Sequence, residues 1–361
     1  MDGATADRHG DAIAHGGNLS DARARYGTPE AGWLDLSTGI NPHPYPLPEL
    51  PRSLWTALPQ ADAEAALTRA AAHAYAAPSP ATVVPAPGTQ ALIQLLPRVL
   101  GHDRAVVVGP TYGEYAPAWR AAGAEVREVG TVDDGLAALD GAARPALILC
   151  NPNNPDGRTW APQALLDVAG QLAEAGGTLV VDEAFADVRP EVSVAPAADR
   201  PGLVVLRSFG KFFGLAGLRL GFALGEPVVA QAMTRALGPW SVPGPALAVG
   251  RTALADDAWQ TAMRTRLATE SERLRALLTA AGLETIGGTA LYQLAAQPDA
   301  AQPDAAQPDA ASWHDRLARH GIWVRAFEQQ PTWLRFGLPG DEAGWRALAA
   351  ALDTETGRTR A

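Results

Sequence analysis

Cysteine is nearly missing from this chain: Cys150 stands alone among 361 residues, which excludes an internal disulfide. Basic clusters are missing too. The 29 Lys and Arg are scattered and outnumbered by 39 Asp and Glu, a formal net charge of −10. No nucleic acid and no anionic membrane is therefore expected as a partner. Long apolar runs are absent; the best, Ala146 to Cys150, is strand-sized and far below the roughly 18 residues that span a bilayer. The opening stretch Met1 to Asp11 lacks the basic and apolar regions of a secretion signal, so the cytosol is the expected address. What is present, 47% hydrophobic and 19% charged residues, rules out a disordered chain. The length fits about two domains.

Short aliphatic runs recur at Ala105–Gly109, Val126–Val129, Ala146–Cys150, Thr178–Val181, Leu203–Arg207 and Leu220–Leu224, with helix-compatible Ala/Leu/Arg sequence between them. Most are nearly continuous in apolar character, as strands buried on both faces are. The alternation predicts an α/β fold with a mostly parallel central sheet, whose ligands sit beyond the strand carboxyl ends. After about Trp240 the pattern changes to an amphipathic helix over Asp257–Ala281, then strand-like pieces near Leu291–Leu294, Gly321–Arg325 and Thr332–Leu338, a smaller α+β domain. The expected division is an extended N-terminal arm over 1–45, a large domain over 46–239 and a small C-terminal domain over 240–361. Ala-Ala-Gln-Pro-Asp occurs three times in a row from Ala295 to Asp309. Proline at every fifth position blocks a helix, so 295–311 reads as a low-complexity loop insertion without a function of its own.

The chemistry-bearing motifs fall just after the expected strands. Ser208-Phe-Gly-Lys211-Phe-Phe-Gly-Leu-Ala-Gly-Leu-Arg219-Leu-Gly221 follows Leu203–Arg207. A lysine at a strand end amid apolar residues and glycines is a candidate for Schiff-base chemistry, where a solvated surface lysine is the plainer reading. Its company favours the former: Ser208 and Arg219 could both hold one phosphate. Asp182, in Leu179-Val-Val-Asp182-Glu183-Ala184-Phe185, ends a buried strand, where a carboxylate needs a cation or a protonated ring nitrogen. If that ring is pyridoxal phosphate, Asp182 would keep it protonated; capping a helix or binding a metal are the alternatives. Pro87-Gly88-Thr89-Gln90 precedes a helical run and offers free N–H groups to a phosphate. Asn151-Pro-Asn-Asn154-Pro-Asp-Gly157 places an amide at the same rim.

This set, with Pro110-Thr-Tyr112-Gly-Glu-Tyr115, resembles the class I/II aminotransferase group of fold type I pyridoxal-phosphate enzymes. His15-Gly16-Gly17-Asn18, Leu36-Ser37-Thr-Gly-Ile-Asn41-Pro42 and Pro239-Trp240-Ser241-Val242 narrow the resemblance, from about His15 to Gly340, to the threonine-phosphate decarboxylase family of cobalamin biosynthesis. Histidinol-phosphate aminotransferases share its cofactor motifs.

The resemblance implies pyridoxal 5'-phosphate as cofactor, linked to Lys211, with Asp182 on the ring nitrogen and Tyr112 stacked on the ring. Ser208, Arg219, Gly88 and Thr89 would bind the cofactor phosphate. Asn154 would bond the phenolic oxygen or the substrate carboxylate. Arg335 alternates away from Leu334, Phe336 and Leu338, and a buried-strand arginine suits bidentate carboxylate capture. By resemblance it would take the substrate α-carboxylate and Arg325 the substrate phosphate, with His15 and Gly16 folding over it. Phe185 and Leu58 stand where many relatives carry tyrosines, and Gly39 and Gly210 replace polar residues, so those contacts are expected to be missing. No metal is expected; a homodimer is. The implied reaction is decarboxylation of L-threonine O-3-phosphate to (R)-1-aminopropan-2-ol O-2-phosphate. The alternatives are transamination of histidinol phosphate or a similar amino-acid phosphate, and a non-catalytic cofactor-binding regulatory module.

Overall fold

The structure, a computed structural model, describes residues 16–296 and 309–353; His15 and most of the Ala-Ala-Gln-Pro-Asp repeat lie outside the described residues. Thirteen strands are found among them. Seven form the central sheet: β2 (Val83–Ala86), β3 (Arg104–Val108), β4 (Glu125–Val129), β5 (Pro145–Cys150), β6 (Thr178–Asp182), β7 (Leu203–Ser208) and β8 (Gly221–Gly225), in the order β2-β8-β7-β6-β5-β3-β4. All six expected strands of the large domain are present within a residue or two. The pairs joining β4, β3, β5, β6 and β7 are parallel, and β8 runs antiparallel to both its neighbours. The link from β7 to β8 holds only the single turns Phe209–Phe212 and Ala216–Leu218, too little helix to cross the sheet, so the chain turns back at the carboxyl end of β7. That return loop carries Lys211 and Arg219.

β5, β6 and β7 are buried at every position because helices cover both faces. Successive residues alternate between two apolar layers: Leu147, Leu149, Val181 and Val205 pack into one, Ile148, Cys150, Val180 and Leu206 into the other. Two edges depart from expectation. β4 is not buried on both faces: Glu125, Arg127 and Glu128 are exposed and ion-paired, which protects the edge from further pairing. β2, at the other edge, gives little sequence signal because Pro85 interrupts it, and proline is confined to edge strands.

Beyond the large sheet, the helix Asp257–Ala280 matches its expected span within one residue and buries Met263, Leu267, Leu274 and Leu278 on one face. Asp256 caps it by accepting from the Trp259 N–H at 2.9 Å. An antiparallel sheet follows, β12 (Arg325–Ala326), β13 (Trp333–Gly337), β10 (Tyr292–Ala296) and β9 (Glu284–Thr289) in spatial order. The segment before residue 45 is not simply extended. Helix Leu19–Tyr26 buries Ala22 against Ala318 and Trp323, and β1 (Leu34–Asp35) pairs in parallel with β11 (Ile322–Trp323). One buried residue in eight leaves almost no helical periodicity to read. No helix among the described residues is long and apolar enough to cross a membrane.

Candidate active site

One cleft gathers residues from five separate loops at the carboxyl ends of the sheet strands: Gly88 and Thr89, Tyr112, Asn154, Asp182, and Ser208, Lys211 and Arg219. Each comes there for a local reason. Gly88 has φ +85°, and a Cβ added to it would lie 2.8 Å from the Arg219 guanidinium, so only glycine lets that arginine close on the start of the helix Thr89–Leu100. A Cβ on Gly221 would meet the Thr89 nitrogen at 2.6 Å. The result is a cradle of helix N–H groups, the Ser208 hydroxyl and one guanidinium, shaped for a phosphate.

Asp182 ends β6 and is buried. Its Oδ2 accepts from the Tyr115 hydroxyl at 2.7 Å and its Oδ1 from the Ala184 N–H at 2.9 Å, while Cys150 Sγ stands 3.8 Å away. Burial raises its pKa, and these donors and Lys211 oppose the rise. Lys211 Nζ lies 5.8 Å from the centre of the Phe185 ring. Its pKa is lowered to about 8, by burial first, then by Arg335; Arg219 adds to this and Asp182 opposes it. Its amine is thus far closer to its neutral, nucleophilic form at neutral pH than an ordinary lysine's.

The small sheet delivers the second group of cations. Arg325 and Arg335 are direct partners on β12 and β13. Like charges opposite one another repel and are kept where an anion is to be met. Arg335 is buried, donates from Nη1 to Asn154 Oδ1 and from Nη2 to the Ser37 carbonyl at 2.8 Å, and lies 5.1 Å above the Tyr292 ring. Among the described residues no carboxylate forms an ion pair with it, and its Nε has no hydrogen-bond partner. Because Asn154 gives its oxygen to Arg335, its amide N–H groups are left for the cleft. Gly16 packs so closely on Ser37 that a Cβ would lie 2.3 Å from the Ser37 carbonyl oxygen, and Gly17 N–H donates to Ser37 Oγ at 2.7 Å. The residue following His15 thus sits directly behind the carbonyl that orients Arg335.

The substituted positions are explained by packing. Phe185 is buried and meets Tyr292 edge-on at 5.1 Å, while Tyr292 donates to the Asn153 carbonyl at 2.7 Å. A Cβ on Gly39 would be 2.8 Å from Tyr292 and 2.9 Å from Phe185, and one on Gly210 would be 2.8 Å from Ala216 Cα. Polar side chains do not fit at either glycine. Leu58 is exposed.

Sequence reasoning did not single out several residues of the site. Tyr115, which grips Asp182, lay within a quoted motif that also held Tyr112, and nothing in the spacing told which ring faced the carboxylate. Gln90, which accepts from Tyr112 at 3.0 Å, and Cys150 carried no motif of their own. One compositional signal was decisive and passed over: Lys211 is the only lysine in the chain.

The carboxyl-end cleft of a mostly parallel sheet, with a lysine facing a buried carboxylate and a phosphate cradle beside it, defines a fold type I pyridoxal-phosphate enzyme. The model of the family "Aminotransferase class I and II" matches residues 49–352, and the chain belongs to that family. It is 48% identical to a threonine-phosphate decarboxylase of Pseudomonas aeruginosa over 94% of this chain and 97% of that relative. It is 45% identical to a threonine-phosphate decarboxylase of Sinorhizobium sp over the same shares. In fold it is similar to a histidinol-phosphate aminotransferase of Sinorhizobium meliloti solved with pyridoxal-5'-phosphate, at TM-score 0.79 and 23% identity over 97% of this chain and 96% of that one. The residues present fit that cofactor: an amine whose pKa is lowered to about 8, an acid for the ring nitrogen, and a cradle that a Cβ at Gly88 would close.

Proposed function

We propose that the protein is a pyridoxal-phosphate-dependent decarboxylase that converts L-threonine O-3-phosphate to (R)-1-aminopropan-2-ol O-2-phosphate in cobalamin biosynthesis. The observation that carries this reading is the near-full-length identity of 48% to a relative of that name. The Arg325–Arg335 pair suits it, since the substrate brings two anionic groups.

When bound, pyridoxal phosphate supplies a sink for the electron pair released at the substrate Cα. The chain's own residues do the rest. Gly88, Thr89, Ser208 and Arg219 would hold the cofactor phosphate. Asp182, whose carboxylate accepts from Tyr115 and the Ala184 N–H, would pair with the ring nitrogen and favour its protonated form. Tyr112 would stack on the ring, and the Asn154 amide N–H would be available to its phenolic oxygen. Lys211 Nζ would hold the cofactor, and its amine, with a pKa lowered to about 8, could pass a proton to the substrate Cα. Arg335 grips the α-carboxylate as a fork, and Arg325 takes the substrate phosphate with Gly16 and His15 beside it. Because only a Cα bond perpendicular to the ring could overlap its π system, Arg335 would act by orienting the substrate carboxylate.

In this reading residues 46–239 form the cofactor unit and 240–361 the smaller unit that supplies both arginines, with 1–45 as the arm. A cytosolic homodimer is inferred. Trp55, Leu58 and Trp240 are exposed at 67%, 59% and 56%, and the backbone at Leu54 packs closely on Gly244; exposed large apolar side chains of this kind suit burial against a second copy.

The deciding experiment is incubation of the purified protein with threonine phosphate. Release of CO2 without accumulation of pyridoxamine phosphate is the expected result. Stoichiometric pyridoxamine phosphate would instead sink this reading in favour of a transaminase.

A further inference from the structure

The carboxyl ends of β6 and β7 present side chains to both faces of the sheet, because neighbouring residues on a strand point to opposite sides. Asp182 and Ser208 face the cleft. Glu183, the residue just after β6, and Arg207, the residue before Ser208 on β7, face the opposite layer and are buried there. Arg207 Nη1 meets Glu183 Oε2 at 2.8 Å, its Nη2 donates to Asp187 Oδ1, and its guanidinium lies 4.4 Å over the Tyr75 ring. Glu183 also accepts from Ser193 Oγ and, at 2.6 Å, from the Val194 N–H.

We propose that this buried Glu183–Arg207–Asp187 cluster is a positioning device for the cofactor cleft: it fixes the spacing of the two strand ends, and with it the placement of Asp182, Ser208 and Lys211. The proposal rests on the reading of the cleft as a pyridoxal-phosphate site.

Three observations support it. The guanidinium fork spans two anchors in different segments, Glu183 at the end of β6 and Asp187 in the turn beyond it, and it projects from the residue just before Ser208. A fork of fixed geometry sets a distance that a greasy contact leaves free. Second, the hydrogen-bond shell of Asp182 hangs from the same turn: the Ala184 N–H that donates to Asp182 follows Glu183 directly. Third, the cluster reaches the helix Asp257–Ala280. Arg264 Nε donates to the Asp187 carbonyl at 2.7 Å, and its guanidinium lies 5.4 Å over the ring of Phe212, the residue after Lys211. Glu183, Arg207 and Asp187 touch nothing in the cleft, so they are positioning residues.

The test uses the holoenzyme and three variants: Arg207→Lys, which keeps the charge but loses the fork, Arg207→Met, and Glu183→Gln. Cofactor affinity and the pH midpoint of the bound cofactor's absorbance are measured beside the melting temperature of the cofactor-free protein. A packing role alone lowers the melting temperature and leaves that midpoint in place, because the midpoint reports the surroundings of Lys211, namely Asp182, Arg219 and Arg335. The expected result is a loss of cofactor affinity of about tenfold or more and a midpoint displaced by about half a pH unit or more, with Arg207→Lys closer to wild type than Arg207→Met. Should Arg207→Met not fold, the other two carry the test. Folded variants that keep affinity within about twofold and the midpoint within about 0.2 pH unit would overturn the proposal. Absence of borohydride-fixed cofactor on the wild-type chain would instead sink the reading of the cleft itself.

Discussion

Arg207 and Lys211 lie four residues apart on either side of the end of β7, both are cations that burial disfavours, and they meet opposite fates. Arg207 is given Glu183 and Asp187, and its charge is locked in, its pKa raised further. Lys211 faces Arg335 and Arg219 with one carboxylate, Asp182, opposing them, and its pKa falls to about 8. The same stretch of backbone thus makes an inert cation on one face of the sheet and a reactive amine on the other. Partners, more than burial, decide which.

The strongest way to break this contrast is to remove the reactive member. Lys211→Ala should lower turnover at least about a thousandfold, with the fold intact, because no other side chain can take over an attachment at that atom. The solitary lysine makes the check clean: borohydride treatment of wild type should fix cofactor on one peptide only, that containing residue 211, and on none in the variant. Turnover within tenfold of wild type would refute the assignment. Arg335 comes next. Arg335→Gln should cost about 2–4 kcal/mol in kcat/KM, roughly 30- to 1000-fold. Arg335→Lys should recover only part of that, because a point charge cannot reproduce the fork that engages Asn154 and the Ser37 carbonyl. A full recovery would show that charge alone suffices.

A subtler sharpening is the pH dependence of the cofactor-free protein. The Lys211 amine titrates near 8 in the folded chain against an ordinary 10.5. Between these values the unfolded chain binds more protons than the folded one, so the penalty of burying this group is full below about pH 8 and is relieved as pH rises toward 10.5. Lys211→Met removes the group, so the variant should be more stable than wild type at pH 7, with a difference that shrinks by pH 10. Paired urea titrations measure it, and a difference independent of pH would contradict the depressed pKa. Adding Arg335→Gln to wild type should make the same penalty smaller, because Arg335 is the largest charge contribution to it.

Much of this was legible beforehand, and what was not has identifiable reasons. Strands buried on both faces announce themselves as aliphatic runs, which is why β5 to β7 and the loops after them were placed to within a residue. β2 hid behind Pro85, and β4 showed that an edge can carry Glu125, Arg127 and Glu128 where a central strand cannot. In the cleft, the residues on motif loops were found because their chemistry needs local company. Tyr115 and the Glu183–Arg207–Asp187 cluster were missed because their significance is a contact across strands: Glu183 and Arg207 are 24 positions apart in sequence and 2.8 Å apart in space. His15 lies outside the described residues; its neighbour Gly16 packs on Ser37, whose carbonyl accepts from Arg335.

The smallest expected effect concerns the stretch least like the cleft. The Ala-Ala-Gln-Pro-Asp repeat leaves from the end of β10 and rejoins the chain at the helix Ala310–Arg319, which Asp309 caps by accepting from the Ser312 N–H. Both flanking elements pair or pack within the small domain on their own account, β10 with β9 and β13, and the helix through Trp313 and Leu317. Shortening a surface connection changes closure entropy only slowly with length. Removal of 297–306, which keeps one Gln-Pro-Asp to cap the helix, should therefore leave turnover within about threefold and the melting temperature within a few degrees. A larger loss of turnover at unchanged stability would mean that the repeat acts on Arg335, because β13, which carries that arginine, is the strand paired with β10.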